Sequence, residues 1–122
     1  MKKTILLVED DVSVQFTLST LLHCTGYHVL LASNGEIAVT MLSNHIDAII
    51  CDIDMPHMNG LELFSIFRLS PWFKKIPFLL LSGCIDNYHL SDINDIDCFL
   101  KKPVRIEVLH IALLALFEMY HM

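Results

Sequence analysis

Residues Asp47 to Gly60 read DAIICDIDMPHMNG. The run Ala48-Ile49-Ile50-Cys51 is too short for a helix of ordinary length, and too solidly apolar for a strand with one wet face. It predicts a strand buried on both sides, covering Asp47 to Cys51. That strand nevertheless delivers a carboxylate, Asp52, with Asp54 two residues later, before Met55-Pro56 breaks the chain. Acid at the end of a buried strand has to be explained by what lies beside it.

The same design recurs outward from this stretch. Ile5-Leu6-Leu7-Val8 is a second solid apolar run and ends in Glu9-Asp10-Asp11. Val14, Leu18, Leu21 and Leu22 then follow at helical spacing until Gly26. Tyr27 to Ala32 predicts a strand, Asn34-Gly35 a turn, and Glu36 to Leu42 a short helix. Beyond the central stretch, Leu61, Leu63, Phe64 and Phe67 mark a helix ending before Pro71. Pro77 to Leu81 predicts a fourth strand bounded by Ser82-Gly83, and Cys98-Phe99-Leu100 a fifth. A last helix is expected from about Val104 to Tyr120, with Pro103 just ahead of it. Five solid strands alternating with helical segments call for an α/β fold, a doubly wound five-stranded parallel sheet covered on both faces.

Composition narrows the function. A chain of 122 residues is the size of one domain and buries a core without staples, so 1–122 is expected to be a single domain. Hydrophobic residues make up 54%, yet no apolar run approaches the roughly 18 to 20 residues that span a bilayer. The opening MKKTILLVEDD mimics a secretory signal only as far as Val8, where acids stand in place of a small-residue cleavage site, so a cytoplasmic protein is expected. A net charge of -6 leaves no basic surface for nucleic acid. Cys24, Cys51, Cys84 and Cys98 are scattered, with no CxxC, and are expected to be buried thiols.

In a doubly wound sheet, ligands bind outside the carboxyl ends of the strands. Glu9 and Asp10 follow the first strand there, Asp52 and Asp54 the third, Ser82 the fourth and Lys102 the fifth. Converging carboxylates repel one another unless a cation is present. A few oxygen ligands with room for water suit Mg²⁺, and one lysine with one hydroxyl suits a phosphoryl group. Taken singly, Asp52 would be a turn cap and Lys102 a solvated lysine; together at one sheet edge they read as a site. His57, alone in a loop, is expected to be solvated.

On Glu9-Asp10 after ILLV, Asp52 in DIDMP with Gly60 closing the loop, Ser82 after FLLL, and Lys102-Pro103, the chain resembles the receiver domain of two-component response regulators from Thr4 to about Phe117. The resemblance implies a flavodoxin-like strand order of 2-1-3-4-5 and a signalling role rather than an enzyme acting on a separate substrate. It makes Asp52 the phosphoacceptor, charged by a histidine kinase or a histidine phosphotransfer protein. Asp10 would be a direct Mg²⁺ ligand with Glu9 acting through water, and the main-chain carbonyl of Asp54 would supply another. Lys102 would pair with the phosphoryl oxygens, and Ser82 and Phe99 would form the switch pair. Asp54 and Cys84 fall where such domains tune phosphoryl lifetime. Serine replaces the more usual threonine at 82, Gly83 a frequent alanine, and Phe99 a frequent tyrosine. The polar segment from Gly83 to Asp97 is about two residues short and predicts a short or irregular fourth helix.

A reading from another class is a phosphatase of the haloacid dehalogenase type, using Asp52 and Asp54 as its DxD. That class places DxD on its first strand, whereas here Glu9-Asp10 precede it. Two surfaces are also expected. On the first helix, Val12 and Phe16 fall opposite Val14, Leu18 and Leu21, so Phe16 should be exposed and available to a kinase. On the last helix, Leu109, Leu113, Leu116 and Tyr120 line one face, with Ile111 and Leu114 roughly opposite. A helix apolar nearly all round suggests a homodimer through the fourth helix, fifth strand and fifth helix, or an absent partner domain.

Overall fold

The computed structural model describes residues 2–42, 45–71, 76–83 and 96–120. Five strands, β1 (Thr4–Val8), β2 (His28–Ala32), β3 (Ala48–Asp52), β4 (Phe78–Ser82) and β5 (Cys98–Lys101), form one sheet in the order β2-β1-β3-β4-β5. Every neighbouring pair is parallel. The described helices are α1 (Val12–Thr25), α2 (Gly35–Met41), α3 (Gly60–Arg68) and α4 (Ile106–Tyr120).

Alternation of side chains along the strands builds two cores. Leu6, Val8, Ile49, Cys51, Phe78 and Leu80 face one side, where Leu63, Phe64 and Phe67 of α3 and Ala38 of α2 cover them. Ile5, Leu7, Ile50, Leu79 and Leu81 face the other, beneath Leu18 and Leu22 of α1 and Leu109, Leu113, Leu116 and Phe117 of α4. Apart from Thr4 at the start of β1 and the site residues Asp52 and Ser82 that end β3 and β4, these three strands are therefore apolar, because both faces are dry. Edge strand β2 keeps His28 and Leu31 exposed, and β5 is only half-buried except for exposed Lys101.

Local chemistry sets the helix ends. Asp11 caps α1 by accepting from the Val14 amide at 3.1 Å, and Gly26 ends it at φ 111°, a left-handed conformation that glycine adopts without cost. Asn34, expected in a turn, instead caps α2 through the Ile37 amide at 2.8 Å. Asn59 and Glu62 form a reciprocal capping box that starts α3 directly after the loop from β3.

Several expectations need adjustment. Leu21 is 37% exposed rather than part of the core face. The buried pair Leu18 and Leu22 centres the apolar stripe of α1, and steps of about 100° per residue put Leu21 roughly 80° off that centre. Cys24, expected to be buried, is exposed; it lies two residues, or about 200°, beyond Leu22. Cys51 is buried and Cys98 half-buried, while Cys84 and the helix expected between β4 and β5 lie outside the described residues. Phe16 and Val12 are exposed, and so are Val108, Ile111, Leu114 and Met119 on α4, as the helical spacing requires. Among the described residues no helix is long and apolar enough to cross a membrane.

Candidate functional site

The sheet order reverses at β1, which pairs with β2 on one side and β3 on the other. Val8 stands opposite Cys51, so the next residues, Glu9 and Asp52, emerge side by side from two neighbouring strands. Asp52 leaves β3 on the face opposite Cys51, and its main chain is held in the sheet opposite Leu81. Ser82 ends β4 in register with Lys101, and the Lys102 amide donates to the Ser82 carbonyl at 2.7 Å. That bond carries Lys102 in over the carboxylates. All the residues singled out at strand ends in the sequence therefore meet at one edge of the sheet.

Glu9, Asp52 and Ser82 are the buried polar residues among the described ones, with relative exposures of 1%, 5% and 0%. Lys102 compensates the two acids: its Nζ lies 2.7 Å from Glu9 Oε1 and 3.1 Å from Asp52 Oδ2. Burial, and then Asp52 beside it, push the Glu9 carboxyl up to about 7 against the pull of Lys102. For Lys102, burial favours the neutral amine, but hydrogen bonds and charge attraction from Glu9 and Asp52 outweigh it and leave its pKa raised. Burial and the neighbouring acids also push the Cys51 thiol well up, so it stays protonated beside Asp52.

Carboxylate oxygens of Glu9, Asp10 and Asp52 lie within 4.8 Å of one another, with Asp10 exposed at the rim. Three hard oxygen donors, one open to water, are a set that fits Mg²⁺ better than a soft metal. The single lysine cannot balance three carboxylates, so the cluster keeps a net negative charge.

Asp54 plays a part not visible in the sequence. Its amide donates to Asp52 Oδ1 at 3.1 Å, while its own Oδ2 accepts from Ser82 Oγ at 3.1 Å and from the Gly83 amide at 3.3 Å. Gln15, which no motif marks, donates its side-chain amide to the Glu9 carbonyl at 3.2 Å and ties α1 to the site. Gly60 is required by space: a Cβ there would lie 2.9 Å from the Ile53 Cα and 3.0 Å from the Asp52 carbonyl oxygen. Phe99 is half-buried on β5 against the core beneath α3. His57 is exposed, at φ 67°.

Residues 5–114 match the family model of the response regulator receiver domain. The chain is 34% identical over 110 residues to the two-component response regulator ARR10 of Arabidopsis thaliana, covering 86% of this chain and 19% of that protein. It is 30% identical over 122 residues to the uncharacterized transcriptional regulatory protein YrkP of Bacillus subtilis, covering 98% of this chain and 52% of that one. The chain thus spans about half the length of the Bacillus regulator and a fifth of the plant one. Among solved structures, the chemotaxis protein CheY4 of Vibrio cholerae superposes with a TM-score of 0.86 at 26% identity, covering 94% of this chain and 98% of that one. A putative response regulator of Chloroflexus aurantiacus gives a TM-score of 0.87 at 29% identity, covering 97% and 99%. The chain belongs to the response regulator receiver domain family. It is a receiver domain of the two-component type, with the flavodoxin-like topology of its structural neighbours.

Proposed function

We propose that Asp52 is the phosphoacceptor of a single receiver domain over 1–122, charged in the cytoplasm by a histidine kinase or a histidine phosphotransfer protein. The observation that carries this reading is the buried Asp52 carboxylate held by Lys102 at 3.1 Å within a three-carboxylate cluster at the strand ends. A carboxylate oxygen of Asp52 attacks the phosphorus of a phosphohistidine, the P–N bond breaks, and the imidazole leaves with the electron pair. The transition state spreads charge over the phosphoryl oxygens, so positioned cations and donors supply most of the catalysis. Lys102, already oriented by Glu9, donates to those oxygens. Asp54's amide keeps Asp52 in one rotamer by holding Oδ1. Asp10, Asp52 and the main-chain carbonyl of Asp54 would hold Mg²⁺ directly, with Glu9 acting through water. When bound, the metal neutralises the carboxylates and the incoming phosphoryl charge.

Phosphorylation adds charge and acceptor oxygens beside Ser82, and a shift of its hydroxyl toward Asp52 changes the packing of β4 against Phe99 on β5. Phe99 is then the second half of the switch, and the surface around β5 changes the contacts it makes. The exposed Val108, Ile111, Leu114 and Met119 of α4 supply an apolar face for pairing with a second copy.

The test uses beryllofluoride or acetyl phosphate with Mg²⁺. One adduct per chain is expected, and Asp52→Asn should abolish it; an undiminished adduct in that variant places the acceptor elsewhere. Asp10→Ala should weaken Mg²⁺ binding more than Glu9→Ala, since a direct ligand is lost. The phosphatase reading, which nothing in the family match supports, predicts many turnovers of a phosphomonoester instead.

A further inference from the structure

We propose that the Asp54 carboxylate is a positioning residue that holds the Ser82 hydroxyl away from Asp52, so that Asp54 and the phosphoryl oxygens compete for one hydrogen. The inference rests on reading Asp52 as the phosphoacceptor.

Ser82 is completely buried, so its hydroxyl has no access to bulk water. A hydroxyl carries one hydrogen and donates one full hydrogen bond at a time. In this structure it goes to Asp54 Oδ2, at 3.1 Å. The Gly83 amide donates to the same oxygen at 3.3 Å, so the carboxylate grips both the side chain that ends β4 and the main chain that leaves it. Asp54 is itself anchored on the phosphoacceptor, since its amide donates to Asp52 Oδ1 at 3.1 Å. One residue therefore spans the two groups that must approach each other.

The Ser82 backbone has little freedom to follow. Its carbonyl accepts from the Lys102 amide at 2.7 Å, and β4 is paired on both sides. Turning Ser82 toward a phosphoryl group on Asp52 is thus mainly a side-chain rotation that breaks the bond to Asp54. Asp54 is exposed, so water replaces the lost donor and the switch remains reversible. The carboxylate sets a threshold: it stabilises the unphosphorylated arrangement and subtracts that stabilisation from the affinity for the phosphorylated one. This acts before phosphoryl loss and is separate from any effect on lifetime.

The experiment measures the apparent Kd of beryllofluoride by isothermal titration at saturating Mg²⁺, with the metal titrated separately for each variant. Asp54→Ala should tighten beryllofluoride roughly three- to tenfold, the worth of one hydrogen bond to a charged but solvated acceptor. Asp54→Asn removes the charge but keeps an acceptor oxygen, and should tighten it less. In a Ser82→Ala background, Asp54→Ala should make no difference. Equal tightening with and without the hydroxyl would overturn the proposal in favour of simple charge removal. Unchanged or weaker binding in the Ser82 protein would overturn it outright. If Asp52→Asn abolishes binding while Asp54→Ala does nothing, only the role of Asp54 fails; an unmutated protein that binds no beryllofluoride removes the phosphoacceptor reading as well.

Discussion

Lys102→Ala should destabilise the metal-free protein by about 2 to 4 kcal/mol, a large part of the roughly 5 to 15 kcal/mol available to a domain. The ammonium sits 2.7 Å from Glu9 and 3.1 Å from Asp52, and the two acids are nearly inaccessible to water. At an effective dielectric of about 20, each contact amounts to on the order of 5 kcal/mol before the cost of desolvating the ammonium is subtracted. Removing the lysine leaves two buried carboxylates facing each other, for which a loss of about 3 to 5 kcal/mol is usual. The Lys102 side chain is 23% exposed, so water takes part of its place and the expected loss falls below that range. The loss should also depend on pH. Glu9 has its folded-state pKa raised to about 7, so at about pH 5 it is largely protonated and needs the ammonium less. At about pH 8 it is charged, and deletion should cost more. Urea denaturation of both proteins at the two pH values, in chelator, measures this. A loss below about 0.5 kcal/mol at both would refute the reasoning, because it would mean that water screens the cluster as it does a surface pair. Added Mg²⁺ should restore part of the lost stability, since a divalent cation at the same carboxylates replaces the missing charge.

Gly60→Ala should destabilise by about 1 to 3 kcal/mol in the same assay, because the new Cβ meets not only the Leu80 side chain but also backbone of Ile53 and Asp52, which cannot swing aside. Tyr120 shares its one phenolic hydrogen between the two Asp97 oxygens, at 2.8 and 2.9 Å, and burial and that carboxylate raise its pKa above 10.0. The folded state therefore holds the phenolic proton more tightly than the unfolded chain. Its contribution is fully present below about pH 10 and is lost as pH rises beyond it, so Tyr120→Phe should flatten the fall in melting temperature on the alkaline side. Ile111→Glu with Leu114→Lys should leave the fold intact, since both side chains are more than half exposed, and should shift sedimentation to monomer. An unmutated protein that sediments as monomer at high concentration, with or without beryllofluoride, would exclude the homodimer.

Much of this molecule follows from one-dimensional pattern. Solid apolar runs at Ile5 to Val8, Ala48 to Cys51 and Phe78 to Leu81 are strands buried on both faces, and their alternation with helical spacing leaves few architectures besides a doubly wound parallel sheet. The acids, serine and lysine that close those strands were legible as a site because a parallel sheet brings all its carboxyl ends to one edge. The exposed apolar positions of α1 and α4 were legible for the same kind of reason, a fixed rotation per residue. The edge of the α1 stripe was not: whether Leu21 is covered depends on which side chains α4 and β2 offer, and sequence spacing carries no information about that.

Tertiary structure alone decided the partners. Glu9 reads in sequence as one more acid beside Asp10 and Asp11; only the pairing of Val8 with Cys51 buries it against Asp52 and moves its carboxyl up to about 7. Asp54 reads as the second half of an acidic pair, yet its side chain turns from the cluster to Ser82 and Gly83 on β4, 28 and 29 residues away. Residue type and local order determine which groups arrive at the sheet edge. Which donor each buried acceptor receives depends on strands brought together from distant parts of the chain, and in a dry site that pairing sets charge, orientation and what can move.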